Sequence, residues 1–185
     1  MPDNEFGYTA WGMDWVRLAE PLRITRPEPL LPRARSIARN GGVHTEIDGT
    51  AVRASIHRGT QASVAYLELT PLTGTTITAI STLIPSDTVE LGDTAHAAIT
   101  VAGIAVAPHL RSTDCSCPAR TPRCLHVLAT YYALARRIDE SPWLALDLQG
   151  YRNASPTASA PAIPPPRWTP LDTLTPATYF GPTET

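Results

Sequence analysis

Lysine is missing from this chain: all 15 basic residues are arginine. With the richness in alanine, this absence reads as coding bias in a GC-rich genome, a property of the source and not of the function. Arginine stays charged, forks onto carboxylate or phosphate, and stacks on bases. Aromatic residues are also scarce, at 6%, so any core must be built largely from Ala, Leu, Ile and Val. No apolar run approaches the roughly 18 residues of a membrane span. The opening segment, MPDNEFGYTAWGMDW, lacks the basic leader and apolar core of a secretory signal. There are only three cysteines, an odd count, and all fall within Cys115 to Cys124. That pattern speaks against a disulfide framework and for a reducing compartment, so the expected location is cytoplasmic.

Catalytic signatures are lacking as well. The chain has no H-E-x-x-H, G-x-S-x-G, Walker A loop or dinucleotide fingerprint. His44-x-Glu46 has the H-x-E form found in zinc deaminases, but that chemistry also needs P-C-x-x-C, and here the cysteines stand as C-x-C. The pair therefore reads as exposed strand residues. His57, His96 and His109 are isolated in sequence and read as surface or internally satisfied histidines. Nothing nominates a nucleophile with its base, and the expectation is a non-enzyme without a small-molecule substrate.

Charge is present but uneven. The formal net charge of −2 weighs against a dedicated DNA-binding domain. Yet residues 17 to 58 hold eight Arg against four acids, residues 111 to 137 hold five against one, and residues 59 to 110 hold none. A basic patch is compatible with that distribution.

Periodicity predicts an α+β fold. Trp11, Trp15 and Leu18 fall on one helical face, giving a short helix over Trp11 to Glu20. The proline-rich stretch to Pro32 reads as irregular, and a short helix or turn around Ala34, Ile37 and Ala38 is ended by Asn40-Gly41-Gly42. Val43 to Asp48 leads into Asp48-Gly49, a favoured hairpin turn, and then into Thr50 to His57, where Val52, Ala54 and Ile56 alternate. With Val64 to Leu69 these make a three-stranded antiparallel meander with one buried face. Residues 74 to 84 are ambiguous, and their Thr and Ile content favours strand. Residues 88 to 100 read as a helix from Val89, Leu91 and Ala95.

Leu125 to Ile138 reads as an amphipathic helix with a stripe of Leu125, Leu128, Tyr132 and Ala135. Arg136 and Arg137 sit in its last turn, where cations suit the helix dipole. Pro142 stops it, and a short apolar segment runs from Trp143 to Leu148. From Asn153 the composition turns to Pro, Thr, Ser and Ala, which cannot bury enough apolar surface to offset ordering entropy; this tail is expected to be disordered. Trp168, Tyr179 and Phe180 within it are either chance aromatics in a linker or a short docking peptide. The expected organisation is an N-terminal α+β region over 1–110, a finger with its helix over 111–151, and a Pro-rich tail over 152–185.

The informative stretch is Cys115-Ser116-Cys117-Pro118-Ala119-Arg120-Thr121-Pro122-Arg123-Cys124-Leu125-His126, or C-x-C-x6-C-x-H. Tetrahedral zinc takes four thiolate or imidazole ligands. Cys115 and Cys117 are two apart, so on an extended segment both sulfurs face the same way. Inside a regular helix Cys124 and His126 would diverge. Cys124 is therefore expected before the helix or in its first turn, with His126 just inside. A catalytic zinc keeps a position open for water, whereas this set is complete at four and reads as structural. Three thiolates and one Zn²⁺ sum to −1. Arg111, Arg120 and Arg123 either compensate that charge or form a contact surface with Arg136 and Arg137. Iron–sulfur ligation is a further option, but Cys₃His is an uncommon set for it.

This spacing, followed by an amphipathic helix, resembles the SWIM zinc-finger family. The likeness extends over roughly residues 11 to 151: Trp11 to Trp15, Ala34 to Arg39 before Gly41-Gly42-Val43, the meander with Gly59 and Tyr66, and Asp139-Glu140-Ser141-Pro142-Trp143 with Leu148 to Tyr151 look like the bacterial members. The resemblance implies a zinc module for DNA or protein contacts, with helicase-like ATPases of the SWI2/SNF2 type as partners and Cys115, Cys117, Cys124 and His126 as the ligands. Two departures bear on the nucleic-acid role. Leu125 stands where the family often has Lys, and the loop lacks the common aromatic.

Overall fold

The computed structural model describes residues 5–23, 28–85, 87–119 and 121–154, without the side chains of 58, 153 and 154. All belong to one unit, Met1–Ser155. Of the tail expected to be disordered over 152–185, residues 152–154 instead belong to a short helix, Tyr151–Ala154; the rest, with Trp168, Tyr179 and Phe180, lies outside the described residues, as does Arg120.

In chain order the elements are α1 (Ala10–Ala19), α2 (Leu31–Arg39), β1 (Val43–Asp48), β2 (Ala51–Arg58), β3 (Gln61–Leu69), α3 (Gly74–Leu83), α4 (Asp93–Val101), β4 (Leu110–Cys115), α5 (Leu125–Glu140), α6 (Trp143–Asp147) and α7 (Tyr151–Ala154). The fold is α+β with a four-stranded antiparallel sheet in the order β1-β2-β3-β4. Gly49 closes the β1–β2 turn at φ 56°, a left-handed conformation that Gly adopts without a Cβ penalty.

The meander therefore has a fourth strand that local patterning does not announce. Leu110–Cys115 reads LRSTDC, with four polar residues in the middle, and it becomes a strand by pairing with β3 in the register Tyr66↔Asp114 and Leu67↔Thr113. Residues 74 to 84 correct a second expectation: they form helix α3, not a strand. Thr73 caps it, its hydroxyl accepting from the Thr76 amide at 3.2 Å. Ile77, Ile80 and Ile84, spaced by three and four, are buried, and that packing outweighs the strand propensity of Thr and Ile. The helix expected over 88 to 100 starts later, at Asp93 after the N-cap Gly92. Val89 is 91% exposed and takes no part in it.

Helix α5 is the centre of this unit's core. Val127, Leu128, Tyr131, Tyr132, Leu134, Ala135 and Ile138 are buried along it, packed with Trp11 and Trp15 of α1, Ala34 and Ala38 of α2, and the inner sheet residues Val52, Ala54, Ile56, Ala65 and Leu67. Such a helix needs few polar partners, and the ones it has are specific. Buried Asp139 accepts from the Gly7 amide at 2.6 Å, the Thr9 amide at 2.9 Å and the Thr9 hydroxyl at 2.7 Å. Thr9 is in turn the N-cap of α1, accepting from the Gly12 amide at 2.9 Å. The site described next lies where the edge strand β4 ends and the buried helix α5 begins. No helix among the described residues is long and apolar enough to cross a membrane.

Candidate metal centre

Cys115 is the last residue of β4 and pairs with Ala65. The register continues one residue further: the Ser116 amide donates to the Val64 carbonyl at 2.9 Å, and the Val64 amide donates to Ser116 Oγ at 2.9 Å. Ser116 is thus pinned to β3, and the chain bends there and at Cys117 into the finger loop. Cys124 is the N-cap of α5, with extended backbone at φ −69° and ψ 163°, and the Leu128 amide donates to its carbonyl at 3.0 Å. His126 follows as the second helical residue. This is the arrangement the C-x-H spacing requires, because a cap residue outside the helix escapes the divergence that i and i+2 would have inside it.

The outcome is a convergence of four side chains. One ligand atom from each of Cys115, Cys117, Cys124 and His126 lies within 4.8 Å of all the others. Cys115 Sγ and His126 Nδ1 are 3.8 Å apart. No disulfide joins the three cysteines, which are all buried. A tetrahedral ion with sulfur at about 2.3 Å and nitrogen at about 2.0 Å sets its ligand atoms about 3.6–3.8 Å from one another. Cys115 Sγ and His126 Nδ1 meet that requirement, and the 4.8 Å bound on the whole group exceeds it by only about one ångström, a shift within side-chain reach. The group can hold a metal ion, and its donors, soft sulfur with one imidazole, suit the tetrahedral soft-metal class.

Burial pushes the Cys115 thiol up to about 12, with Cys117 and Cys124 adding to the rise, while a hydrogen bond from the Cys117 backbone pulls the other way. Three thiolates in one buried cluster repel one another and lack solvation. A bound divalent cation reverses that preference by supplying the missing positive charge.

Of the five arginines proposed as compensating or contact residues, Arg120 lies outside the described residues and the other four each have a partner within the chain. Arg123 points away, its Nη1 donating to Leu18 O at 3.0 Å and its Nη2 to Ala19 O at 2.7 Å. Arg111 pairs with Glu68 at 3.0 Å and Arg136 with Glu140 at 3.2 Å. Arg137 donates to Thr45 O at 3.1 Å and Thr45 Oγ1 at 2.6 Å. The partners of Arg111, Arg123 and Arg137 come from β3, α1 and β1, whose approach the sequence does not display; that of Arg136 is Glu140, one turn further along α5.

The remaining histidines divide. His44, His57 and His109 are exposed, and Glu46 beside His44 accepts from Arg53 at 3.0 Å. His96 is not isolated in space. Its Nε2 lies 2.8 Å from Asp14 Oδ2, and its ring meets Trp11 edge-on at 4.9 Å. The pair joins α4 to α1, with Arg17 on the other Asp14 oxygen at 2.9 Å. The visible work of this network is to fasten a helix.

Comparison of this chain with protein-family models, with curated proteins and with solved structures finds no match.

Proposed function

We propose that Cys115, Cys117, Cys124 and His126 hold one structural Zn²⁺, and that the chain is a non-catalytic accessory module of the SWIM type associating with nucleic acid or with a complex that acts on it. The observation that carries the zinc assignment is the convergence of four ligand atoms within 4.8 Å at the junction of β4 and α5. With four protein ligands no position is left for a reacting water, which supports a structural role over a catalytic one. When bound, the ion supplies charge neutralisation and a cross-link. The chain's own residues supply the rest: Ser116 fixes the C-x-C turn to β3, and the Cys124 cap fixes the start of α5.

The nucleic-acid part of the reading draws on the C-x-C-x6-C-x-H motif and on five Arg over residues 111 to 137. It is tested by fluorescence anisotropy of labelled single- and double-stranded DNA and RNA oligonucleotides at low ionic strength. Binding whose affinity falls steeply with salt, by about 0.9 decades per decade of salt for each phosphate contacted on duplex DNA, supports it. Failure of both DNA and RNA to bind at low salt removes it.

A second reading, a protein-interaction adaptor without direct nucleic-acid contact, is favoured by one observation. Arg111, Arg123, Arg136 and Arg137 are all engaged within the chain, so phosphates would have to displace existing partners. Recovery of one specific protein after nuclease treatment supports this reading.

A further inference from the structure

The two edges of the sheet are treated differently. In an antiparallel ladder, alternate residues direct their N–H and C=O groups toward the partner strand and the others direct them outward. On β1 the phase is set by the His57 amide, which donates to Gly42 O at 2.9 Å. With the register Ser55↔His44 and Arg53↔Glu46, residues 43, 45 and 47 face outward. That edge is occupied: Arg137 of α5 donates to the outward Thr45 carbonyl and hydroxyl. On β4 the phase is set by the Ser116 amide donating to Val64 O. Asp114 opposite Tyr66 and Ser112 opposite Glu68 then face β3, and Thr113 and Cys115 face outward. Among the described residues no strand pairs with this outer side of β4.

Open edges are hazards that folded proteins ordinarily blunt, with charges, covering helices or side-chain plugs. Here one edge is plugged and the other is furnished. A groove of about 510 Å³ is lined by Thr113, Asp114, Cys115, Ser116, Cys117 and the loop residues Thr121 and Pro122. It touches Asp114 and Ser116 from the outer sheet face and Thr113 and Cys115 from the inner, so it straddles the edge. Charge adds a direction. Across the outer face runs the row Glu46, Arg53, Tyr66, Asp114. Arg53 serves Glu46 at 3.0 Å and the Tyr66 hydroxyl at 3.2 Å, while Asp114, at the open end, has no ion-pair partner among the described residues.

We propose that the outer edge of β4 is a strand-addition site for an extended segment of a partner protein that presents Arg or Lys opposite Asp114. Main-chain hydrogen bonds from Thr113 and Cys115 supply affinity, and Asp114 supplies the side-chain preference. The Cys/His cluster holds the groove's far wall, because Cys115 and Cys117 begin the loop that carries Thr121 and Pro122. The inference goes beyond either reading of function, and it requires a folded finger loop but not a particular metal.

The test uses the full chain as purified and two synthetic peptides of alternating Val and Thr with one central Arg. They are identical except that the second is N-methylated on alternate amides along one edge. Isothermal titration gives affinity, and amide hydrogen exchange followed by NMR locates the contact. The expected result is binding of the first peptide with new protection at Thr113 and Cys115, and at least tenfold weaker binding of the N-methylated peptide. Thr113→Pro removes only an outward amide and is expected to abolish binding while leaving the rest of the exchange pattern intact. Asp114→Arg is expected to reverse the preference to a peptide with central Glu. Binding indifferent to N-methylation, protection confined to other strands, or no binding at all would overturn the proposal. Sedimentation showing that the free chain already pairs through β4 with a second copy would overturn the assigned occupant. Oligonucleotide binding in the assay above is independent of these outcomes, so the two proposals fail separately.

Discussion

Arg123, the residue before the Cys124 cap, donates to the Ala19 carbonyl at 2.7 Å, and its second nitrogen reaches Leu18. The end of a helix leaves carbonyls without partners, and here the finger loop closes the end of α1. Arg123→Ala is expected to cost about 1–3 kcal/mol in chemical denaturation, the range for a charged hydrogen bond lost at a part-buried site. Arg123→Lys, which cannot fork onto two carbonyls, is expected to recover only part of that loss. If Arg123 instead served only a phosphate, both variants would keep wild-type stability and lose nucleic-acid affinity.

Gly12 and Asp139 are in close approach. A Cβ on Gly12 would lie 2.1 Å from Asp139 Oδ1, so Gly12→Ala is expected to destabilise by about 1–3 kcal/mol despite the better helix propensity of Ala. Asp139→Ala removes the acceptor for the Gly7 and Thr9 amides and is expected to cost about 1–3 kcal/mol for each amide left unpaired. In that background the clash is gone, and Gly12→Ala should then be neutral or stabilising. A double-mutant cycle by denaturation reads this coupling directly; additive effects would contradict the contact.

Alkaline stability follows from two tyrosines of α5. Burial pushes Tyr131 up to about 12, and burial, followed by the Glu20 carboxylate, pushes Tyr132 up as well. Both are raised above the unfolded value of about 10, so the unfolded chain loses these protons first. Their contribution to stability is complete below about pH 10 and falls above it, by at most about 1.4 kcal/mol per pH unit for each tyrosine. Denaturation curves across this range are expected to show the fall, and Tyr131→Phe should reduce its slope.

Metal removal is expected to unfold at least residues 110 to 140. Zinc binding is worth about 10–16 kcal/mol in small finger peptides, and whole domains are stable by only about 5–15 kcal/mol. Hydrogen exchange before and after chelation checks this, with loss of protection across β4 and α5 as the expected result. Unchanged protection after complete chelation would show that packing alone holds the segment.

Much of this architecture was legible in residue order. The Trp11–Trp15 face, the Asp48-Gly49 turn, the alternation Val52-Ala54-Ile56 and the Leu125 helix each carry their own period, and each became the element it announced. The geometry of C-x-H left Cys124 before the helix or in its first turn, and the structure has it as the N-cap of α5. What failed was decided at a distance. Leu110–Cys115 has apolar residues only at its ends, and it is a strand because β3 offers an edge. Gly74–Leu83 has strand-like composition, yet its isoleucines have helical spacing and a core to fill, and that spacing was the signal available. The partners of Asp139, His96 and Arg123 lie 130, 82 and 104 residues away in the chain. Polar contacts of that kind leave no local period to read.

The central claim is most directly tested by X-ray absorption at the zinc edge on purified protein of known metal content. One zinc per chain is expected, with three sulfurs near about 2.3 Å and one nitrogen near about 2.0 Å, and Cys124→Ala should lose the ion. Protein that carries no zinc, a shell of oxygen ligands, or full zinc retention in Cys124→Ala would contradict the account.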